Sequence, residues 1–252
     1  MFHLTDGLEL ELLGHGLNLS QTKRRLLSVG EVMMGTSGLD GVALHRIAAE
    51  AGQANRFAVQ YHFQSKADFV NAILATRVAQ VERRRSALLA RAQDRNLADD
   101  PRVLLELLYL PYAEQVDSTG ACVYACFCTQ LALQHAFGRE AVKHPLIHAG
   151  DNVTTDILLR ITRVVPHLPE DLVISRVLVQ TRQMMAALIE HHARTSNYYR
   201  WIRSREVVLL ECIDMTHAAI ATEARPEVIA CVQTEHRRWL TKNQPDPENS
   251  PA

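Results

Sequence analysis

Apolar side chains recur every three or four residues along most of the chain, and strict alternation over the length of a strand is hard to find. This spacing is typical of amphipathic α-helices. Glycines and prolines divide the chain into segments. The pattern therefore predicts an all-α protein with helices over 22–34, 42–51, 57–63, 65–93, 152–164, 169–195 and 204–222, another opening at Asp99-Asp100-Pro101, and another after Gly120.

The first predicted helix carries Leu26, Val29 and Met33 on one apolar stripe. The second ends before Gly52, which we expect to adopt the left-handed conformation of a helix C-terminus. Ser65 stands three residues before Asp68, a spacing that predicts a capped helix start in which the two residues bond reciprocally.

The helices predicted over 169–195 and 204–222 carry apolar bands too broad for a helix with one side in water. Each therefore needs apolar partners on two sides. The bands are Leu172, Val179, Ala186, Ile189 and Ala193 beside Val173, Val177, Met184 and Leu188 in the first helix, and Val208, Cys212, Met215 and Ala219 beside Leu209, Ile213 and Ile220 in the second.

The composition, 252 residues of which 47% are hydrophobic, allows one large domain or two modest ones. With 27 basic and 28 acidic residues the net charge is -1, so any binding to nucleic acid must come from a local patch. The N-terminus is acidic and interrupted by glycines, which is not typical of a secretory signal. The odd number of cysteines, five, indicates reduced thiols. We therefore expect a cytoplasmic protein. The uncharged segment 118–138 is too short in its apolar part to span a membrane.

Four short motifs occur in order over about fifty residues: Ile47-Ala48, Ala51-Gly52, Tyr61-His62-Phe63 and Ser65-Lys66-Ala67-Asp68-Phe69. In this combination the chain resembles the TetR family of bacterial transcription regulators. The resemblance implies a three-helix DNA-binding domain with a helix-turn-helix over 20–66 and a helical effector-binding and dimerisation domain over 67–241. Residues 1–19 are then an N-terminal extension, and the proline-rich, polar composition of residues 242–252 predicts a disordered tail. From Ser20 to Lys66 there are six basic and three acidic residues, a net charge of +3.

The resemblance makes the third helix the recognition helix. Phosphate contacts supply affinity, whereas contacts to base edges supply sequence preference. Arg56 suits guanine and Gln60 suits adenine. The predicted DNA contacts are Asn55, Arg56, Phe57 and Gln60 for bases, Tyr61, His62 and Lys66 for phosphates, His45 and Arg46 as further phosphate contacts, and Gln53 without an assigned role.

Two features depart from the family pattern. Eight residues separate Gly52 from Tyr61, more than in the common family version, so either the turn is longer or the recognition helix starts later. Val42 and Ala43 stand where the family often has a capping Ser or Thr, which leaves Asp40 as the expected cap of the second helix.

By the same resemblance, the chain is expected to act as a homodimer that binds a palindromic operator, most simply as a repressor, and is released by a small apolar or amphipathic effector. The long fourth helix is the expected lever. Each candidate effector contact also fits an ordinary packing role. The candidates are Tyr109, Tyr112, Tyr124, Phe127, Gln130, His135, Met184 and His191.

Other functions remain open on the sequence alone. Cys122, Cys126 and Cys128 with His135 allow a thiol redox sensor, although no zinc knuckle is present and we expect no metal or cofactor. A helical partner-binding module without DNA is a further alternative. An enzyme is not expected, because the sequence lacks a phosphate-binding loop, a nucleophile elbow and a His-Glu-x-x-His motif.

Overall fold

The computed structural model describes residues 19–136, 152–197 and 204–242, and every regular element within these ranges is an α-helix. The all-α class is therefore confirmed. Parts of the predicted N-terminal extension and the predicted tail lie outside the described residues. The described helices are α1 (Gln21–Ser37), α2 (Leu44–Glu50), α3 (Ala58–Phe63), α4 (Lys66–Asp94), α5 (Pro101–Ala113), α6 (Val123–Ala136), α7 (Val153–Val164), α8 (Glu170–Asn197), α9 (Arg205–Ala221) and α10 (Pro226–Lys242).

Helix α1 buries more than the predicted stripe. Leu26 is fully buried and Val29 and Met33 are half-buried against the core, as predicted, while Leu27, Gly30 and Met34 are buried as well. A Cβ at Gly30 would lie 2.4 Å from ring atoms of Phe69 on α4. The buried face is therefore wider than predicted, and Gly30 allows α1 to approach α4 closely.

The same helix packs along α6. A Cβ at Gly35 would lie 3.2 Å from both the Cβ of Cys126 and the backbone nitrogen of Phe127. Contacts this close hold the end of α1 against the backbone of α6. The three N-terminal helices are thus attached to the remainder of the chain through α1 as well as through α4.

Helix α4 starts as the capping pattern predicts, with one difference. The Ser65 hydroxyl oxygen accepts from the Asp68 N–H at 3.0 Å, and the hydroxyl donates to the Asp68 carboxylate. The Ser65 N–H, however, donates to the Phe63 carbonyl. The Asp68 carboxylate therefore accepts from the Ser65 hydroxyl rather than from the Ser65 N–H. The Ser65 N–H instead links the start of α4 to the end of α3.

Helix α5 contains Pro111, which lacks the N–H that the Leu107 carbonyl would normally receive. Arg85 on α4 replaces that donor. Its Nε donates to the Leu107 carbonyl at 3.3 Å, and its Nη2 donates to the Leu108 carbonyl at 2.8 Å. Arg85 is only 2% exposed and also pairs with Glu82 at 3.2 Å. The buried Arg85 thus supplies the hydrogen bond that Pro111 cannot make within α5.

Helix α8 packs against α5, α6, α7 and α9. One of its predicted bands, which includes Val173, Val177 and Met184, is buried within the chain. The other band, which we call the open band, is only partly covered: Leu172 and Ile189 are half-buried, Ala186 is exposed, and Val179 is 55% exposed. Arg176 donates to carbonyls at the end of α9, which fixes the angle between the two helices.

By length and composition alone, the segment Glu170–His192 of α8 is long and apolar enough to span a membrane. Its buried face packs on neighbouring helices, and the same segment carries Arg176 and Arg182. These are the features of a core helix in a bundle.

Helix α10 was not among the predicted elements. Its apolar residues Val228, Ile229 and Val232 are only partly covered. His236 bonds through Nδ1 to Asp171 at the start of α8, 2.7 Å away. A groove of about 680 Å³ lies between these two helices.

Candidate nucleic-acid interface

Helices α2 and α3 are joined by residues 51–57 in a turn closed by backbone hydrogen bonds. The Gln53 N–H donates to the Ala48 carbonyl and the Gly52 N–H to the Ala49 carbonyl, both at 2.9 Å. Gly52 has a φ of 72°, as expected for a left-handed helix end. Since α3 begins at Ala58, one residue beyond the predicted start, the extra residues both lengthen the turn and delay the helix.

Side chains reinforce the turn. The Ala51 carbonyl accepts from Arg25 Nε at 3.2 Å and from Gln53 Nε2 at 3.4 Å. Asn55 Oδ1 accepts from the Phe57 N–H at 2.9 Å. Gln53, a predicted DNA contact, and Asn55, a predicted base contact, are therefore also residues that shape the turn.

Helix α3 presents two unlike faces. Ala58, Val59 and Phe63 are buried against the rest of the chain. On the outer face Phe57 is 54% exposed and Tyr61 is 79% exposed.

Polar side chains adjoin these exposed aromatics. Gln60 is exposed on α3, and the Arg56 guanidinium lies 4.8 Å from the centroid of the Phe57 ring. Four of the predicted contact residues, Arg56, Phe57, Gln60 and Tyr61, thus share one outward surface, which we call the α3 surface.

Basic side chains are found near the α3 surface. His45 and Arg46 are exposed on α2, while His62 is half-buried and makes an edge contact with the Tyr61 ring. Arg24 on α1 is anchored by its Nε to the Leu19 carbonyl at 2.9 Å. A shallow groove of about 330 Å³ runs past Arg24 and Arg25.

Lys66 serves the fold of this region directly. Its Nζ donates to the Val42 carbonyl at 2.8 Å and to the Asp40 carbonyl at 3.3 Å, and partial burial lowers its pKa. Helix α2 has Ala43 at its N-cap and no side-chain cap, so the expectation that Asp40 caps it was wrong. The lysine instead binds the carbonyls that precede the helix.

The predicted effector contacts are divided by the structure. Tyr109, Tyr112, Tyr124, Phe127 and Met184 are buried. Gln130 is half-buried beside the α1–α2 turn, in a groove of about 220 Å³, and His191 is half-buried. The side chain of His135 lies outside the described residues.

Within the buried group, the rings of Tyr112 and Tyr124 stack with centroids 5.8 Å apart. The Tyr109 hydroxyl lies 2.9 Å from the Thr216 hydroxyl, and burial raises the pKa of Tyr109 to about 12. The arginines against the stacked pair were not predicted: Arg85 lies 4.9 Å from the Tyr112 centroid and Arg77 lies 6.0 Å from the Tyr124 centroid. Polar and apolar residues are mixed along α4, so the spacing of its apolar residues did not predict that the side chains of Arg77 and Arg85 point inward.

Four of the five thiols lie in surroundings that disfavour the reactive thiolate. Burial raises the pKa of Cys128 to about 12 and that of Cys212 to about 11, and it also raises the pKa values of Cys122 and Cys126. Such groups stay protonated at neutral pH, and the thiolate is the reactive form. Cys231 is exposed.

We therefore expect a disulfide reagent at pH 7.5 to label Cys231 within minutes and the other four cysteines at least about tenfold more slowly, with their rates rising towards pH 11. The absorbance of the thiolate that the reagent releases measures the labelling rates, and Cys231→Ser is the control. Rapid labelling of Cys122, Cys126 or Cys128 at pH 7.5 would support the redox alternative.

Comparison of the sequence with models of known protein families and with curated proteins gave no match. In the part of the chain that the structure describes, no group of three or more His, Cys, Asp or Glu side chains could hold a metal ion.

Proposed function

We propose that the protein is a ligand-responsive, DNA-binding transcription regulator, a repressor that binds a palindromic operator as a homodimer in the cytoplasm. The single observation that carries this proposal is the α3 surface. A short helix held by buried side chains presents Arg56, Phe57, Gln60 and Tyr61 outward next to a turn fixed by hydrogen bonds.

The chemistry of the α3 surface suits the major groove. Arg56 offers two parallel donors that match guanine, and Gln60 offers the donor and acceptor that match adenine. The exposed Phe57 ring suits contact with a thymine methyl group. Exposed aromatic rings are otherwise unfavourable on a surface that faces only water, so a partner that covers them is expected.

Affinity in this proposal comes from the surrounding basic groups. Lys23, Arg24 and Arg46 lie on the helices that flank α3, and an otherwise neutral chain concentrates positive charge there. Contacts with phosphates supply binding that weakens with salt and carries no sequence information.

A dimer supplies the second recognition helix. Val179 on α8 and Val207 and Met215 on α9 are exposed in the single chain, although the two helices pack together. In a two-fold pair the same apolar patch meets its copy, and four helices form the interface. The two α3 helices would then contact half-sites about 34 Å apart. An effector that binds better to another arrangement would lower operator affinity.

The test is binding to duplexes selected by the purified protein from a random pool. We expect affinity to fall by about a hundredfold or more between 50 and 200 mM salt. Arg56→Ala is expected to reduce the preference for the selected duplex over a scrambled one about tenfold, the loss of one bidentate base contact. Fluorescence anisotropy measures both quantities.

Arg95→Ala is the matched control, since it removes the same charge at the far end of α4. It should leave the preference unchanged. If the wild type shows no salt-dependent binding to any duplex, the protein is better explained as a helical module whose α3 surface binds another protein. If Arg56→Ala weakens all duplexes equally, Arg56 contacts phosphate and our assignment is wrong.

A further inference from the structure

One buried ion pair connects α1 to α4. Glu31 on α1 is only 3% exposed, and its two carboxylate oxygens accept from Arg77 Nε at 2.7 Å and from Nη2 at 2.6 Å. Two parallel bonds of this kind fix both distance and angle. The pair therefore sets how α1 is placed on α4.

Arg77 is held in turn by residues that follow in the chain. Its Nη1 donates to Gln115 Oε1 at 2.7 Å, beyond the end of α5, and to Gln80 at 3.2 Å. Its guanidinium lies over the ring of Tyr124 on α6. One arginine thus joins the N-terminal helices to the residues around the buried tyrosines.

The polar atoms at this junction are not all satisfied. Gln115 Nε2 is buried and has no hydrogen-bond partner, and the buried Tyr124 hydroxyl has the thiol of Cys128, a weak hydrogen-bonding group, beside it. Buried polar groups without partners destabilise the arrangement that contains them. The junction is therefore less completely bonded than the core around it.

A second pair on α4 provides a comparison. Arg84 binds Glu114 through Nε at 2.9 Å and Nη2 at 2.7 Å, so it has the same two-bond geometry. Its partner follows α5, and the pair makes no bond to α1. Helix α4 thus carries two ion pairs of like chemistry, of which only one reaches the N-terminal helices.

We propose that Glu31 and Arg77 are positioning residues that hold α1, and through α1 the α3 surface, in one orientation on α4 and the buried tyrosine region. This proposal rests on the proposed function where it concerns DNA, but its structural part stands separately. Because a buried ion pair contributes little net stability compared with apolar residues of the same size, its effect lies in fixing one orientation.

The mechanism follows from how α3 is supported. Helix α3 packs on α2 and α4, and α2 packs on α1. A DNA-binding dimer needs both α3 surfaces at a fixed separation. When the Glu31–Arg77 bonds are lost, α1 to α3 sample more orientations, and the fraction of molecules competent to bind falls.

The experiment compares Glu31→Gln with Glu114→Gln in the full-length chain. Amide hydrogen exchange followed by mass spectrometry is expected to be about tenfold faster over residues 21–63 in Glu31→Gln and unchanged there in Glu114→Gln. Affinity for the selected duplex should fall about tenfold in the first variant and less than twofold in the second.

A double variant separates positioning from stability. Glu31→Gln with Arg77→Gln leaves no buried lone charge, so its melting temperature should recover towards the wild type. Its exchange over 21–63 should nevertheless stay fast. Exchange at the wild-type rate in both variants, or equal acceleration in Glu114→Gln, would overturn the proposal. If the wild type binds no duplex, the proposed function is refuted. The hydrogen-exchange result would then still decide whether the Glu31–Arg77 pair positions α1.

Discussion

Replacing Arg85 with alanine is expected to lower the free energy of unfolding by about 3–5 kcal/mol, the loss typical when one partner of a buried ion pair is removed. The substitution leaves the Glu82 carboxylate without its buried cation and leaves the Leu107 and Leu108 carbonyls without the Arg85 donors. It also removes the guanidinium that lies against Tyr112. Urea denaturation followed by circular dichroism measures the change.

Two further variants show whether this explanation holds. Arg83→Ala removes an exposed arginine from the same helix and should change stability by no more than about 0.5 kcal/mol. In the Arg85→Ala background, Pro111→Ala restores an N–H for the Leu107 carbonyl and should recover about 1 kcal/mol. If Arg85→Ala costs less than about 1 kcal/mol, or if Pro111→Ala gives no recovery, Arg85 does not compensate for the proline.

Arg85 also illustrates what could be predicted from the sequence. The helix itself was predicted almost to the residue, because Ser65 and the apolar spacing of α4 are local signals. The inward direction of Arg85 depends on the Leu107 carbonyl, 22 positions later in the chain, which Pro111 leaves without a donor. Local periodicity contains no information about such a pairing.

Glu31 gives the same lesson for the candidate site. The sequence counts it among the acidic residues that offset the basic segment from Ser20 to Lys66. In the structure it is buried and paired with Arg77, so it does not reduce the positive charge at the surface. Conversely, Lys66 was counted as a free cation, but its Nζ binds two backbone carbonyls.

The α3 surface was predictable to a greater extent. The motifs placed the helix, and the resemblance named Arg56, Phe57, Gln60 and Tyr61 as DNA contacts, all of which the structure leaves exposed. The structural uses of Gln53 and Asn55 were not evident, because they depend on how the longer turn closes. Helix α10 was missed because its few apolar residues pack on little of the described chain.

Replacing Val179 with aspartate is expected to raise the dimer dissociation constant by about a hundredfold or more. Val179 lies in the open apolar band of α8, and α9, which packs on α8, also has exposed apolar side chains at Val207 and Met215. In a two-fold interface one substitution introduces two carboxylates, each moved from water into an apolar contact without a partner. Operator affinity should fall with dimerisation, because a single α3 surface reads only one half-site. Sedimentation velocity and fluorescence anisotropy measure the two losses.

Val32→Asp is the control, since Val32 is an exposed valine on α1, 38% exposed, and lies outside the open band. It should leave the dimer intact, which separates an interface effect from the general effect of an added charge. The helical content of Val179→Asp should match that of the wild type, because the side chain faces outward in the single chain. If Val179→Asp stays dimeric at nanomolar concentration, the two copies associate through another surface, and the spacing of the α3 helices must be derived from that surface instead.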